Sequence, residues 1–191
     1  MKERVRALRE EAIVDAAQDL IISKGYSTLT LDDITEAVGI SKPTLYLHFK
    51  SKEDIVERIS VRCIQKAVDY LSSLDVSRTA TDRIQDFISW AVGTRFGDES
   101  LLFQDLSRHI LPNMDGDSDH GAKEKWIIRS VTSLFESAQA EGGIRDDVPA
   151  VMLSAMLLGF IKNYRIDEMM SESNLDQKAI ATSWMNLLRK V

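Results

Sequence analysis

The chain has 191 residues and a formal net charge of -6, with 44% hydrophobic and 28% charged residues. This composition is that of an ordinary globular protein, long enough for a substantial core in one domain or two small ones. The longest apolar run, residues 151–161, is shorter than the roughly 20 residues of a membrane-spanning helix, and the N-terminus lacks the apolar stretch of a signal peptide, so we expect a cytoplasmic protein.

Apolar residues recur at helical spacing along almost the whole chain, which three prolines and nine glycines interrupt. We therefore predict an all-α protein. The first helix is expected to stop at Gly25, because glycine is the residue most often found just past a helix end. After residue 50, longer helices are predicted at about 52–74, 79–96, 121–141, 150–170 and 175–190, and a shorter one at about 99–110.

Three hydroxyl residues precede short helical segments: Thr30, Ser41 and Ser51. Each hydroxyl is expected to accept a hydrogen bond from an otherwise unpaired backbone N–H group of its helix. Thr30 with Asp33, and Ser51 with Asp54, also have the spacing of a capping box. The sequence therefore predicts three helix starts in quick succession.

Residues 31–38 and 42–48 are predicted as two short helices joined by the dipeptide Gly-Ile, the arrangement of a helix-turn-helix unit. In such a unit the second helix enters the major groove of DNA. Leu45 and Phe49 fall on one side of this second helix and are expected to face the core. The apolar residues expected to meet them there are Ile34, Ala37, Val38 and Ile40.

The opposite side of the second helix is centred on Leu47, with Pro43 and Thr44 beside it. These three side chains are expected to meet base edges, including thymine methyl groups. Tyr46 and His48 flank this outward face and are expected to lie near the two sugar-phosphate backbones. The helix would then read bases with its centre and bind phosphates with its edges.

Basic residues are concentrated locally although the chain is acidic. Residues 37–52 contain three lysines and no acidic residue, and residues 2–9 contain four basic residues. Lys52 begins a helix, and the free N–H groups there favour anions such as phosphate. A solvated charged face is the simpler explanation of such a cluster, but an exposed leucine at its centre favours a nucleic-acid surface.

The run LTLDDITEAVGISKPTLYLHFKSKEDIV resembles the N-terminal DNA-binding region of the tetracycline-repressor (TetR) family of bacterial transcriptional regulators. The close match covers about residues 10–58. The resemblance implies a three-helix DNA-binding domain at 1–52, with the helix-turn-helix at about 30–49, and a helical effector-binding and dimerisation domain at 53–191. It also implies a homodimer that a small molecule releases from a palindromic operator.

The resemblance also assigns roles to individual residues. It makes Thr30, Tyr46 and Lys52 phosphate contacts and puts Lys42 and His48, with Thr44, in or near the groove. Leu47 falls at a variable DNA-facing position of the family, which agrees with the helical-wheel argument. The complete predicted DNA-binding set is Thr30, Ser41, Lys42, Pro43, Thr44, Tyr46, Leu47, His48 and Lys52.

The second domain offers aromatic and methionine side chains for a pocket between helices, where bundle proteins bind ligands. Few charges fall on its apolar stripes, so we expect a largely apolar effector. The helices at about 150–170 and 175–190 are expected to pair with their copies in a homodimer. The candidate ligand-binding residues are Phe87, Trp90, Phe103, Trp126, Met152, Met156 and Phe160.

We predict no metal site, no cofactor and no enzymatic activity. The acidic segment that begins at Asp115 resembles a calcium loop, but His120 and Trp126 stand where an EF-hand needs glycine and glutamate. His109 and His120 are far apart in sequence, with no serine or cysteine nucleophile paired to either. A helical interaction or enzyme module without specific DNA binding is the alternative function.

Overall fold

The computed structural model describes residues 2–97, 100–113, 116, 118–163, 165–166, 170 and 173–190. The described residues form helices and turns and contain no strand, which confirms the predicted all-α class. The α-helices are α1 (Lys2–Lys24), α2 (Leu31–Val38), α3 (Lys42–Tyr46), α4 (Lys52–Ser73), α5 (Ala80–Phe96), α6 (Ser100–Asp105), α7 (Asp119–Ala140), α8 (Ala150–Lys162) and α9 (Gln177–Leu187). Short 3-10 turns at Tyr26–Thr28 and Leu111–Asn113 and a π-helical turn at Leu106–Ile110 lie between them. No described helix is both long and apolar enough to cross a membrane.

The chain folds into two compact units with separate hydrophobic cores. The first unit comprises Met1–Cys63 and Leu101–Met114, and the second comprises Ile64–Ser100 and Asp115–Val191. The sequence placed a boundary after residue 52, whereas α4 contributes residues to both units. As functional domains, residues 1–52 and 53–191 stay a prediction.

The core of the first unit is built by α1, α2, α3 and the first half of α4. Apolar residues of α1 recur with helical spacing and are fully buried, among them Ile13, Ala17 and Ile21. Leu102 and Leu106 join the same core, although they lie far along the chain. Burying a side chain of this kind contributes about 1.5–3 kcal/mol relative to leaving it exposed.

The core of the second unit is built by α5, α7, α8, α9 and the end of α4. Arg95 continues the apolar stripe of α5 by one turn and is fully buried. Its Nε donates to the carbonyl oxygen of Ile161 at 3.1 Å, and its Nη2 donates to that of Asn163 at 3.3 Å. The arginine thus binds carbonyl groups at the end of α8, which have no partner within the helix.

The helix predicted over residues 150–170 ends earlier, at Lys162. Asn163 has extended backbone dihedral angles, with φ -75° and ψ 108°, and its Oδ1 accepts a hydrogen bond from the Arg165 N–H group at 3.0 Å. An asparagine side chain that binds backbone two residues on replaces the helical hydrogen bond with a turn. Residues 164 and 167–169 of the predicted helix lie outside the described residues.

Candidate nucleic-acid interface

Helix α2 begins at the capping box that the sequence predicted. The Asp33 N–H donates to Thr30 Oγ1 at 3.2 Å, and the Thr30 N–H donates to Asp33 Oδ2 at 2.8 Å. Lys24 Nζ lies 2.6 Å from the same carboxylate oxygen. The hydrogen bond from Lys24, followed by those from Thr30, lowers the pKa of Asp33 to about 2. The Asp33 carboxylate is therefore negatively charged at neutral pH, and its hydrogen bonds stabilise the start of α2.

The turn between α2 and α3 depends on Gly39. This residue has φ 73° and ψ 37°, a left-handed conformation that costs glycine little and other residues more. The N–H groups of Gly39 and Ile40 both donate to the Thr35 carbonyl oxygen, at 2.9 and 3.0 Å. The turn thereby closes α2 and directs the chain into α3.

Helix α3 begins at the predicted cap, Ser41, and is shorter than expected, since it ends at Tyr46. The Ser41 hydroxyl accepts a hydrogen bond from the Thr44 N–H at 3.4 Å, and the two hydroxyl oxygens lie 2.9 Å apart. Pro43 occupies the first turn of the helix, where a missing N–H group costs no hydrogen bond.

The predicted burial of Leu45 and Phe49 and the predicted exposure of Leu47 and Tyr46 are confirmed. Leu45 is fully buried and Phe49 is 9% exposed, whereas Leu47 is 74% and Tyr46 is 53% exposed. The outward face therefore presents an apolar side chain beside a phenol, and it can contact both a thymine methyl group and a phosphate. Ala37, which was expected in the core, is exposed, so this prediction was wrong.

Lys42 is exposed at the edge of this face, where its Nζ lies 2.8 Å from Asp32 Oδ1. The hydrogen bond that Lys42 donates to Asp32 raises the pKa of Lys42. The lysine is therefore charged throughout the physiological range, and its ion pair is weak enough to exchange for a phosphate because both partners are exposed.

The helical wheel predicted the side chain of His48 on the outward edge, but the side chain does not lie there. It is 7% exposed, and its Nδ1 lies 3.3 Å from Glu10 Oε1. The same oxygen accepts a hydrogen bond from Arg6 Nε at 2.9 Å, which is the main cause of a lowered pKa at Glu10. A wheel drawn for one helix cannot include Glu10, which belongs to α1.

Lys52 is also held inside the first unit. Its Nζ donates to the carbonyl oxygens of Tyr26 at 3.3 Å and Leu29 at 3.2 Å, and it lies 4.2 Å from the centroid of the Tyr26 ring. Sequence reasoning missed Tyr26, whose signal was an aromatic residue directly after the helix stop at Gly25. That Lys52 and the other eight residues of the predicted set contact DNA stays a prediction.

The helix start at Ser51 differs in detail from the predicted capping box. The Asp54 N–H donates to Ser51 Oγ at 3.1 Å, as expected. The Asp54 carboxylate, however, accepts its hydrogen bond from the Lys50 N–H at 2.9 Å. The Asp54 side chain therefore binds the backbone of Lys50, which precedes the cap residue Ser51.

The predicted ligand-binding residues of the second unit fall into separate groups. Trp90 stacks on Tyr70 with ring centroids 4.7 Å apart, and its centroid lies 6.1 Å from that of Phe87. Phe160 contacts Trp184, with centroids 5.4 Å apart, at the junction of α8 and α9. These are core positions within the second unit.

The other four candidates lie elsewhere. Met152 and Met156 are each 54% exposed on α8, and Trp126 is 40% exposed on α7. Phe103 belongs to the first unit. The expectation that Met152 and Met156 face the interior was wrong, because α8 is apolar on nearly all sides and its pattern does not reveal the buried face.

Two clefts open on the second unit. One, of about 630 Å³, is lined by Phe96, Met170, Leu175, Asp176, Gln177, Lys178 and Ile180. The other, of about 500 Å³, is lined by Gln85, Ser89, Gln177, Lys178, Ala181, Thr182, Met185, Asn186 and Arg189. None of the seven predicted ligand-binding residues lines either cleft. The sequence analysis did not predict the polar residues that line the two clefts, because these residues belong to the solvent-facing sides of α5 and α9.

Among the described residues, no three histidine, cysteine, aspartate or glutamate side chains are grouped closely enough to hold a metal ion. Two aspartates of the acidic segment, at positions 115 and 117, lie outside the described residues.

Comparison with known proteins finds one family and several relatives that match part of this chain. The family of bacterial regulatory proteins called the tetR family matches residues 13–59. The HTH-type transcriptional regulator AlkX of Mycobacterium tuberculosis is 34% identical over 76 residues, which are 39% of this chain and 36% of AlkX. The negative transcriptional regulator IcaR of the biofilm operon icaADBC in Staphylococcus aureus is 45% identical over 65 residues, 34% of this chain and 33% of IcaR. The matched region is thus about a third of these relatives' length.

Solved structures resemble most of the chain. AibR in complex with isovaleryl coenzyme A and operator DNA has a TM-score of 0.69 and 17% sequence identity, covering 94% of this chain and 97% of AibR. At this identity the likeness establishes the fold.

Proposed function

We propose that this chain, which belongs to the TetR family of bacterial regulatory proteins, is a ligand-responsive transcriptional repressor that binds a palindromic operator as a homodimer. The observation that carries the proposal is the outward face of α3. A buried Leu45 and a helix start capped by Ser41 hold Leu47 and Tyr46 in solvent. IcaR is described as a negative regulator, which supports repression.

Reading of DNA is assigned to the face of α3 that the core leaves exposed. Leu47 and Pro43 offer apolar contacts to thymine methyl groups, and Thr44 offers a hydroxyl to base edges. Lys42 and Tyr46 lie beside them and suit phosphate oxygens. The ion pair between Lys42 and Asp32 would open as the lysine binds the backbone.

The dimer is assigned to α8 and α9. Val151, Met152 and Met156 expose 54–60% of their surface on α8, and Leu187 exposes 57% on α9. The contact between Phe160 and Trp184 brings these two helices together. Exposed apolar side chains on neighbouring helices are typical of a protein–protein interface, and a symmetric dimer would cover them with its own copy.

The effector is assigned to the second unit and to molecules with a sizeable apolar part. AibR binds isovaleryl coenzyme A and operator DNA, so acyl-coenzyme A thioesters are the first compounds to test. Free coenzyme A is the matched control, because it lacks the acyl group. Phe87, Trp90 and Phe160 remain the proposed contacts for the apolar part.

The test is selection of duplexes from a randomised pool by the wild-type protein, followed by titration of a selected and a scrambled duplex at the same salt concentration. We expect an inverted repeat in the selected DNA and at least 1,000-fold tighter binding than to the scrambled duplex. Equal, weak binding to both duplexes would favour the alternative, a helical interaction or enzyme module.

A further inference from the structure

Three charged or titratable side chains meet where His48, two residues after the end of α3, contacts α1. Glu10 Oε1 lies 2.9 Å from Arg6 Nε and 3.3 Å from His48 Nδ1. One carboxylate oxygen therefore joins a residue of the first turns of α1 to the residue that follows Leu47. The side chains differ sharply in exposure, at 64% for Arg6, 28% for Glu10 and 7% for His48.

His48 is placed to orient α3. It stands between Leu47, which is 74% exposed, and Phe49, which is 9% exposed. Its Nδ1 contact with Glu10 ties this point of the chain to α1, at the end of the helix opposite the Ser41 cap. A phosphate contact needs a donor that reaches solvent, and a ring with 7% of its surface exposed is poorly suited to one.

Arg6 has the properties that His48 lacks. Its guanidinium is mostly exposed, and its Nε–H group donates to Glu10. An arginine has five N–H donors arranged in a fork, which suits the oxygens of a phosphate. Because both side chains bind the same oxygen of Glu10, Arg6 presents its charge at the edge where His48 was expected to act.

We infer that Arg6 supplies a phosphate-binding cation at this edge of the DNA interface, and that His48 is a positioning residue that acts on α3 through Glu10. The inference rests on the proposed function, since it assigns roles within the same DNA-binding surface. The ion pair between Arg6 and Glu10 would restrict the arginine to one region of the edge and so reduce the entropy lost on binding.

The first test is the salt dependence of binding to a duplex that the wild-type protein selects from a randomised pool. Each phosphate contact contributes about 0.9 to the slope of log K against log salt concentration. Arg6→Gln is expected to reduce the slope by about one per protomer and to weaken binding to selected and scrambled duplexes alike. Arg129→Gln, which removes an exposed arginine of α7 in the second unit, is the control and should leave the slope unchanged.

The second test separates positioning from contact at His48. His48→Leu is expected to weaken binding to the selected duplex about tenfold without changing the salt slope. The same substitution should have almost no effect in a Glu10→Ala background, because the partner through which it acts is gone. His48→Asn carries a donor at the same number of bonds from the backbone as Nδ1 and should retain affinity within about threefold of wild type.

The outcomes distinguish this inference from the proposed function. If the wild-type protein does not prefer its selected duplex, the proposed function fails. If it does, and His48→Leu lowers the salt slope equally with and without Glu10, His48 contacts phosphate and the inference is overturned. An unchanged salt slope for Arg6→Gln would show that Arg6 does not bind phosphate and would overturn that part of the inference. Circular dichroism of each variant checks that it is folded.

Discussion

The backbone N–H group of Tyr26 donates a 2.7 Å hydrogen bond to Asp105 Oδ2, across 79 positions of sequence. Tyr26 directly follows Gly25, which ends α1 with φ 83°. The ring of His109 lies against Tyr26 as well, with centroids 5.6 Å apart. The segment Leu101–Met114 is therefore built into the first unit by polar and aromatic contacts at the end of α1.

Tyr26 connects this segment to a predicted DNA contact. Its carbonyl oxygen and its ring both hold the ammonium group of Lys52. Its hydroxyl lies 3.4 Å from Glu53 Oε1, and burial together with the charge of Glu53 raises the pKa of Tyr26. Because Tyr26 contacts both side chains, a displacement of Asp105 would change the position of Lys52 through Tyr26.

Asp105→Ala is expected to lower the free energy of unfolding by about 1–3 kcal/mol, because it leaves a partly buried N–H group without its charged acceptor. Asp105→Asn retains an acceptor oxygen and is the control, with a smaller loss expected. Urea unfolding measures the difference, and amide hydrogen exchange at Tyr26 should accelerate in the alanine variant. Equal stability of the alanine variant and wild type would show that the contact is not maintained in solution.

These contacts also show how far sequence reasoning reaches. The caps at Thr30 and Ser41 and the faces of α3 were predictable, because residues three or four positions apart fix them. Asp105 could not be assigned to the first unit, since its partner is 79 residues away and no local pattern joins the two. The same limit explains His48, whose direction is set by Glu10 on another helix.

Substitutions on α3 should separate base reading from phosphate binding. Leu47→Ala shortens a side chain that is 74% exposed, so stability should change little. We expect the preference for the selected over the scrambled duplex to fall about tenfold, which is within the range for one lost base contact. Tyr46→Phe removes a hydroxyl from the edge and should weaken binding to both duplexes equally. Fluorescence anisotropy at one fixed salt concentration measures both effects. An equal loss on both duplexes for Leu47→Ala would assign Leu47 to the backbone.

Gly143 packs too closely on Thr81 for a larger residue. A Cβ atom at this position would lie 2.0 Å from Thr81 Oγ1 and 3.2 Å from Thr81 Cβ. Gly143→Ala is therefore expected to destabilise the second unit by about 1–3 kcal/mol, the usual cost of overpacking. Thr81→Ala in the same chain should restore most of the loss, because it removes the clash and a buried hydroxyl for which the described residues offer no hydrogen-bond partner. Thermal unfolding of the single and double variants tests this, and additive losses would disprove the clash.

His120 makes the stability of the second unit depend on pH. Burial, reinforced by Lys162, lowers the pKa of His120 from 6.5 to about 4. The folded state then binds fewer protons than the unfolded state, so its stability is complete above pH 6.5 and falls as the pH drops toward 4. Between pH 7 and pH 5 we expect His120 to account for a loss of about 2 kcal/mol. His120→Gln should flatten this part of the curve in urea unfolding at fixed protein concentration. A variant with the slope of wild type would assign the pH dependence to other groups.

The exposed stripe on α8 should control assembly. Met156→Asp puts a carboxylate on a surface that the proposed dimer buries, and an unpaired charge there is strongly unfavourable. We expect this variant to sediment at micromolar concentration as a 21.5 kDa monomer, while wild type sediments at twice that mass.

Val76→Asp is the matched control, since Val76 is 84% exposed in the connection between α4 and α5 and belongs to neither α8 nor α9. The control should remain dimeric and bind the selected duplex as wild type does, whereas Met156→Asp should lose affinity for an inverted repeat more than for a half-site. A dimeric Met156→Asp variant would remove α8 from the interface, and a monomeric wild type would remove the dimer itself.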